Sequence, residues 1–261
     1  MKPRRKHGLN AVKLSRVSPT DPAKRPAQRP AERPAKKKPA SPRLDRTLVA
    51  ETGLRLLNES GLEGLSLRRI AKELNVQAPA LYWHFDSKQA LLDEMATVMT
   101  RDLLTLADEI ADETVHRSGN GPVAWDTLIG ESMRHLRRAL LRYRDGAKVY
   151  SGTRLTTTEH GAAQERALRV MTDAGFSPGA AARAWATAYS YTIGFVIEEQ
   201  AVQPLPGERA PGYDPADRAA RMAEHPLAAQ VSADLFADYD TRFEEGLHTV
   251  IEGIRVTVLR T

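Results

Sequence analysis

The segment Gln77-Ala78-Pro79-Ala80-Leu81-Tyr82-Trp83-His84-Phe85 predicts a short helix opening on Pro79. Proline's fixed φ and missing N–H suit a first helical position. Leu81 and Phe85 stand four residues apart and should share an inward face, which turns Tyr82 and His84 outward. Upstream, Ser66 can cap a helix carrying Leu67, Ile70, Ala71 and Leu74 at helical spacing, and Asn75 ends it. Two short helices across a tight turn are the arrangement of a helix-turn-helix, whose second helix enters the major groove of duplex DNA.

The helical period continues on both sides. Leu48, Val49, Thr52, Gly53, Leu56 and Leu57 fall on one face, and Gly61 stops that helix. Asp86 and Gln89 have the spacing of a capping box for a fourth helix over 87–102, carrying Leu91, Leu92, Met95, Val98 and Met99. Further helices are expected over 124–143, 159–174, 178–201, 215–225 and 233–259, with loops at 117–122, 144–146 and 204–215. Sustained period-two alternation is missing, so the fold class is all-α. In the last helix Phe236, Tyr239, Phe243, Leu247, Ile251, Ile254 and Leu259 form an apolar stripe. It can pack within one chain or against a second copy.

Charge divides the 261 residues into three parts. Residues 1–42 hold 13 Lys+Arg against 2 acids and 8 of the 16 prolines. Such a segment cannot bury a core, and it predicts a disordered basic arm. The arm is either a passive solubilising extension or a nonspecific phosphate attractor, with a transit peptide as a third reading. Residues 43–90 are nearly neutral, with 7 Lys+Arg and 6 acids, and make the DNA-binding domain. Residues 91–261 hold 18 Lys+Arg and 25 acids, which phosphates repel, and make an effector-binding and dimerisation domain.

Cysteine is absent, which fits a reducing cytoplasm and excludes disulfides and thiolate metal sites. The longest charge-free run, Ala184 to Ile197, has 14 residues, too few to span a bilayer. No membrane contact is expected.

At the DNA-facing end, Ala78, Pro79 and Ala80 can touch thymine methyls but offer no side-chain hydrogen bond. Tyr82 and His84 can reach phosphate or base. Trp83 is either a contact or a core aromatic. Arg68 and Arg69 begin the preceding helix, where an arginine can pair with guanine O6 and N7. Lys88 opens the fourth helix and suits a phosphate.

These residues carry a resemblance. Leu44-Asp45, Leu56-Leu57-Asn58-Glu59, Gly61 to Leu65, Leu81-Tyr82-Trp83-His84, Lys88 and Ala90-Leu91-Leu92-Asp93 resemble the TetR family of bacterial transcriptional regulators. Arg144 to Val149, followed by Gly152-Thr153-Arg154, is similar to its tetracycline-repressor type. The resemblance covers about residues 44–260. It implies a homodimer joined through a four-helix bundle built from 178–201 and 233–259, binding a palindromic operator on double-stranded DNA. It places DNA contacts at Ser66, Arg68, Pro79, Ala80, Tyr82, Trp83, His84 and Lys88. Ala78 and Ala80 depart from the glutamine and threonine of that type, which changes the expected operator.

The resemblance also implies a pocket for a small organic effector at Leu104, Ser132, Leu136, Tyr150, Arg154, Trp185, Ser190 and Glu198. Leu104, Tyr150 and Ser190 replace histidines that help hold a drug–magnesium chelate, so no metal and no cofactor is expected. The implied function is a repressor released by its effector. An activator of the same fold and a nonspecific DNA binder driven by the arm are the alternatives. An enzyme is the main rival class. The seven histidines form no HxxxH or HExxH pair, and neither GxSxG nor a phosphate loop occurs.

Overall fold

A computed structural model describes residues 44–117 and 123–257, with side chains for 44–105 and 123–257. The expectations for the basic arm, most of the 117–122 loop and Leu259 lie outside them. Among the described residues every regular element is helical.

Helix α1 (Arg46–Ser60) begins where Asp45 accepts the Leu48 N–H at 2.8 Å and ends at Gly61, φ 67°. Helix α2 (Leu67–Glu73) is capped by Ser66, which accepts the Arg69 N–H at 3.2 Å. Asn75 then turns the chain at φ 54°, a left-handed conformation that asparagine tolerates. Helix α3 (Ala78–Tyr82) carries its proline in the first turn.

Helix α4 (Lys88–Arg117) differs from expectation at both ends. Its cap is Ser87, whose hydroxyl accepts the Ala90 N–H at 3.1 Å; Gln89 bonds Asp93 at 2.9 Å instead of reaching back to Asp86. The helix also runs 15 residues past 102, through a sequence with neither glycine nor proline to stop it.

Helices α5 (Trp125–Leu141), α7 (Gly161–Asp173), α8 (Pro178–Val202) and α9 (Pro215–Arg221) lie near their expected places. A short helix α6 (Gly146–Tyr150) follows the 144–146 turn, where Asp145 takes φ 55°. Gly146 is needed there, because a Cβ would strike the Leu140 carbonyl.

The single helix expected over 233–259 is broken. Helices α10 (Pro226–Gln230) and α11 (Ser232–Phe236) precede α12 (Tyr239–Thr257). Ala237 is extended and Asp238 takes φ 50°. Phe236 therefore leaves the stripe and packs edge-on to Tyr213 at 5.6 Å.

The core is continuous. Ile70, Leu81, Phe85 and Leu91 anchor α2 and α3 on α1 and α4; Ile129, Met133, Val196, Phe243 and Leu247 join α5, α8 and α12. Helix α4 packs on α1 and also on α5 and α6, so the DNA-reading head and the larger helical body share it.

Candidate nucleic-acid interface and effector site

Leu81 and Phe85 are fully buried, which fixes the orientation of α3. Tyr82 is 51% and Trp83 89% exposed, so Trp83 is no core residue in this chain. Leaving so large an indole in water is costly unless a partner covers it. Pro79 is exposed beside them, and Ala80 and His84 are half-buried.

The two adjacent arginines of α2 behave differently. Arg69 reaches Glu59 at 3.0 Å, Glu59 pairs with Arg55 at 2.9 Å, and Arg55 pairs with Glu73 at 2.5 Å. That network ties α1 to α2. Arg68 is exposed and has no polar partner among the described residues. Ser66 spends its oxygen on the cap and remains exposed. Lys88 donates to the Leu62 carbonyl at 2.9 Å, which leaves two of its three N–H donors open.

Behind the reading surface stands Arg46, a residue the sequence reading passed over. Its guanidinium donates to the His84 carbonyl, lies 4.4 Å over the Phe85 ring, and pairs with Glu94 of α4 at 2.8 Å. A second junction joins α1 to the α5–α6 turn. Arg144 N–H donates to the Asn58 side chain at 2.8 Å, Asn58 donates to the Arg142 carbonyl at 3.2 Å, and Leu62 N–H donates to Asp145 at 3.0 Å. Burial opposes ionisation of Asp145. The Leu62 N–H and the Lys148 ammonium, 2.9 Å away, outweigh it and hold the carboxyl below its usual value.

The expected effector residues do not all converge. Tyr150 is half-buried, with its hydroxyl 3.2 Å from that of Thr100. Burial and the neighbouring Tyr150 push the Tyr189 phenol up to about 12, so it stays neutral at physiological pH. Leu136 is buried, while Leu104, Ser132 and Trp185 are half-buried. Ser190 and Glu198 instead lie exposed on α8, and Arg154 is exposed, its backbone N–H on Asp93 at 3.1 Å. Thr100, which the sequence reading did not single out, lies on the buried face of α4 one turn before Leu104, where helical spacing could have found it.

Fold and surfaces together define a helix-turn-helix regulator carried on a helical body. Residues 50–95 match the family described as bacterial regulatory proteins, tetR family, and 119–258 match the tetracyclin repressor-like C-terminal domain. The chain is 37% identical to the tetracycline repressor protein class C of Escherichia coli, over 84% of this chain and 94% of that one. A solved structure described as a possible TetR family transcriptional regulator from Streptomyces coelicolor A3(2) superposes with a TM-score of 0.66 at 34% identity, covering 81% and 98% of the two chains. A TetR variant from Acinetobacter baumannii AYE, solved in complex with minocycline, gives 0.57 at 33%, covering 81% and 97%. The chain belongs to the tetR family of bacterial regulatory proteins.

Proposed function

We propose that this protein is a transcriptional repressor that binds a palindromic operator as a homodimer and is released by a small organic effector. The observation that carries the reading is the pairing of an unpartnered Arg68 with outward Tyr82 and Trp83 on one rigid head. Ser66, Pro79, Ala80, His84 and Lys88 complete the surface that meets DNA. An arginine with free N–H groups reads guanine; the aromatics, His84 and Lys88 hold backbone and set register.

Dimerisation is supported by α8. Ala182, Ala186, Ser190, Gly194 and Glu198 recur every four residues and all are exposed. The small side chains at Ala182, Ala186, Ser190 and Gly194 let a second helix approach closely, and a Cβ on Gly194 would meet nothing within 4 Å among the described residues. Two heads joined this way would stand about 34–36 Å apart, one turn of duplex. In the assembly, Ser190 and Glu198 belong to the contact between copies.

The effector is met by Tyr150, Trp185, Leu104, Leu136 and Ser132, with Arg154 at the edge. Neutral hydroxyls among apolar walls suit an uncharged ring system carrying hydrogen-bonding oxygens. Release follows if that molecule prefers a form in which the heads are mis-spaced.

The test is selection of duplexes from random sequence by the full chain, followed by footprinting. One symmetric protected site is the expected result. Protection without sequence preference, falling steeply with salt, would leave only a nonspecific binder.

A further inference from the structure

We propose that Glu94 is a positioning residue that passes the state of the 151–160 segment directly to the DNA-reading helix, through Arg46. The inference rests on the repressor reading above for its purpose, but not for its geometry.

Glu94 lies on α4, and its side chain is only 6% exposed. One of its oxygens, Oε2, receives both groups that matter. Arg46 Nε donates to it at 2.8 Å, and the Thr156 hydroxyl lies 3.3 Å from it. Arg46 in turn donates to the His84 carbonyl and covers the Phe85 ring. The His84 and Phe85 N–H groups both close on the Leu81 carbonyl at 2.9 Å, so Arg46 clamps the end of α3.

On the other side, Thr156 is firmly held. Its N–H donates to the Thr97 hydroxyl at 2.8 Å; Thr97 gives its own proton to the Asp93 carbonyl at 2.8 Å, so the single Thr156 hydroxyl proton is shared between the Thr97 oxygen, 3.1 Å away, and Glu94. Thr153 bonds the Tyr150 carbonyl at 2.8 Å, which connects the segment to the tyrosine at the proposed effector site. The chain of contacts therefore runs Thr156, Glu94, Arg46, His84, and the backbone from Thr153 to Thr156 joins it to Tyr150.

A carboxylate this buried depends on each donor it has. When the segment moves and withdraws the Thr156 hydroxyl, Glu94 loses one donor and leans wholly on Arg46. Arg46 meets the two acceptors with different nitrogens of one rigid plane, Nε on Glu94 and Nη1 on the His84 carbonyl, so a shift of the freed Glu94 carboxylate carries Nη1 off that carbonyl. Loosening of α3 follows without any tilt of α4, a shorter route than one through whole helices.

Amide hydrogen exchange on the full-length protein, free of DNA and effector, tests this. Thr156→Val keeps shape and removes the hydroxyl. Exchange at His84 and Phe85 should speed about fivefold, the change expected for one lost hydrogen bond. Thr156→Ser should restore wild-type exchange there. Glu159→Gln removes the 2.8 Å pair with Arg101, which ties the far end of the same segment to α4, while the Arg101 charge stays beside Glu94 and Thr156 stays on Thr97; it should speed exchange only within 151–160. Unchanged His84 and Phe85 exchange in Thr156→Val would overturn the proposal, as would equal acceleration in Glu159→Gln. Because no DNA is present, failure here leaves the repressor reading standing, and loss of operator binding leaves this coupling standing.

Discussion

Arg137 of α5 and Glu199 of α8 form a two-pronged ion pair inside the helical body, Nε to Oε2 at 2.8 Å and Nη2 to Oε1 at 2.7 Å. Both side chains are at most 10% exposed. The guanidinium also sits 5.0 Å over the Phe243 ring of α12, so one arginine fastens three helices. Glu199→Leu strands a buried cation, left with the exposed Asp240 carboxylate at 2.7 Å and the Phe243 ring. The expected cost is about 3–5 kcal/mol, read as a lower denaturant midpoint. The double variant Arg137→Met with Glu199→Leu should recover most of it. A double variant as unstable as the single one would mean that the pair fixes packing and not merely charge.

Arg68 and Arg69 are neighbours with opposite expected phenotypes. Arg68→Ala should lower affinity for the selected operator by about 1–3 kcal/mol and relax preference at one base pair, with thermal stability unchanged. Arg69→Ala should leave base preference intact and lower stability by a few tenths of a kcal/mol, the scale of an exposed pair. Binding titrations on operator variants, set beside thermal melts, separate the two.

Asp145 sets an acid limit on the junction between α1 and the α5–α6 turn. Its folded pKa lies below the unfolded value, so the junction gains stability from the carboxylate above the unfolded pKa. That stability is lost as pH falls through the lower folded value. Asp145→Asn should therefore be less stable at neutral pH and flatter in its pH dependence below about pH 4. Parallel acid-limb profiles for the two proteins would assign the acid sensitivity elsewhere.

The head was legible in the sequence because local rules fix it. Ser66, Gly61, Asn75 and Pro79 all act within a few residues of themselves, and Leu81 and Phe85 declare their face by spacing alone. What escaped depends on partners distant in the chain. Arg46 and Glu94 are 48 residues apart, and nothing near either one announces the other. The break at Asp238 escaped because aspartate takes a left-handed turn without the glycine or proline that usually marks one. Ser190 and Glu198 were assigned to a pocket by resemblance, yet their i, i+8 spacing puts them on the α8 face that carries Gly194, away from the core.

Gly246 of α12 faces Tyr191 of α8, and a Cβ there would lie 2.6 Å from the ring carbon Cζ and closer still to the hydroxyl. That hydroxyl donates to the Phe243 carbonyl at 3.0 Å. Gly246→Ala must displace the phenol or spread the helices, at an expected cost of about 1–3 kcal/mol. Adding Tyr191→Phe should return only part of the loss, since the ring itself remains in the way. Full recovery would place the conflict at the hydroxyl alone.

The chemistry at Tyr150 and Leu104 separates two kinds of effector. Magnesium prefers oxygen ligands and keeps several waters, and a leucine in place of a donor removes one of its holds. Minocycline with excess magnesium should leave operator affinity within about twofold of the free protein, below the roughly fivefold coupling at the lower end for an effector. An organic molecule that does release the operator should do so equally well with a chelator present. Tyr150→Phe should weaken that release while leaving effector-free operator affinity unchanged, because the hydroxyl it removes contacts Thr100 and no part of the head. Release that requires magnesium, and is abolished by the chelator, would show that Tyr150 and Leu104 border a metal-chelate site after all.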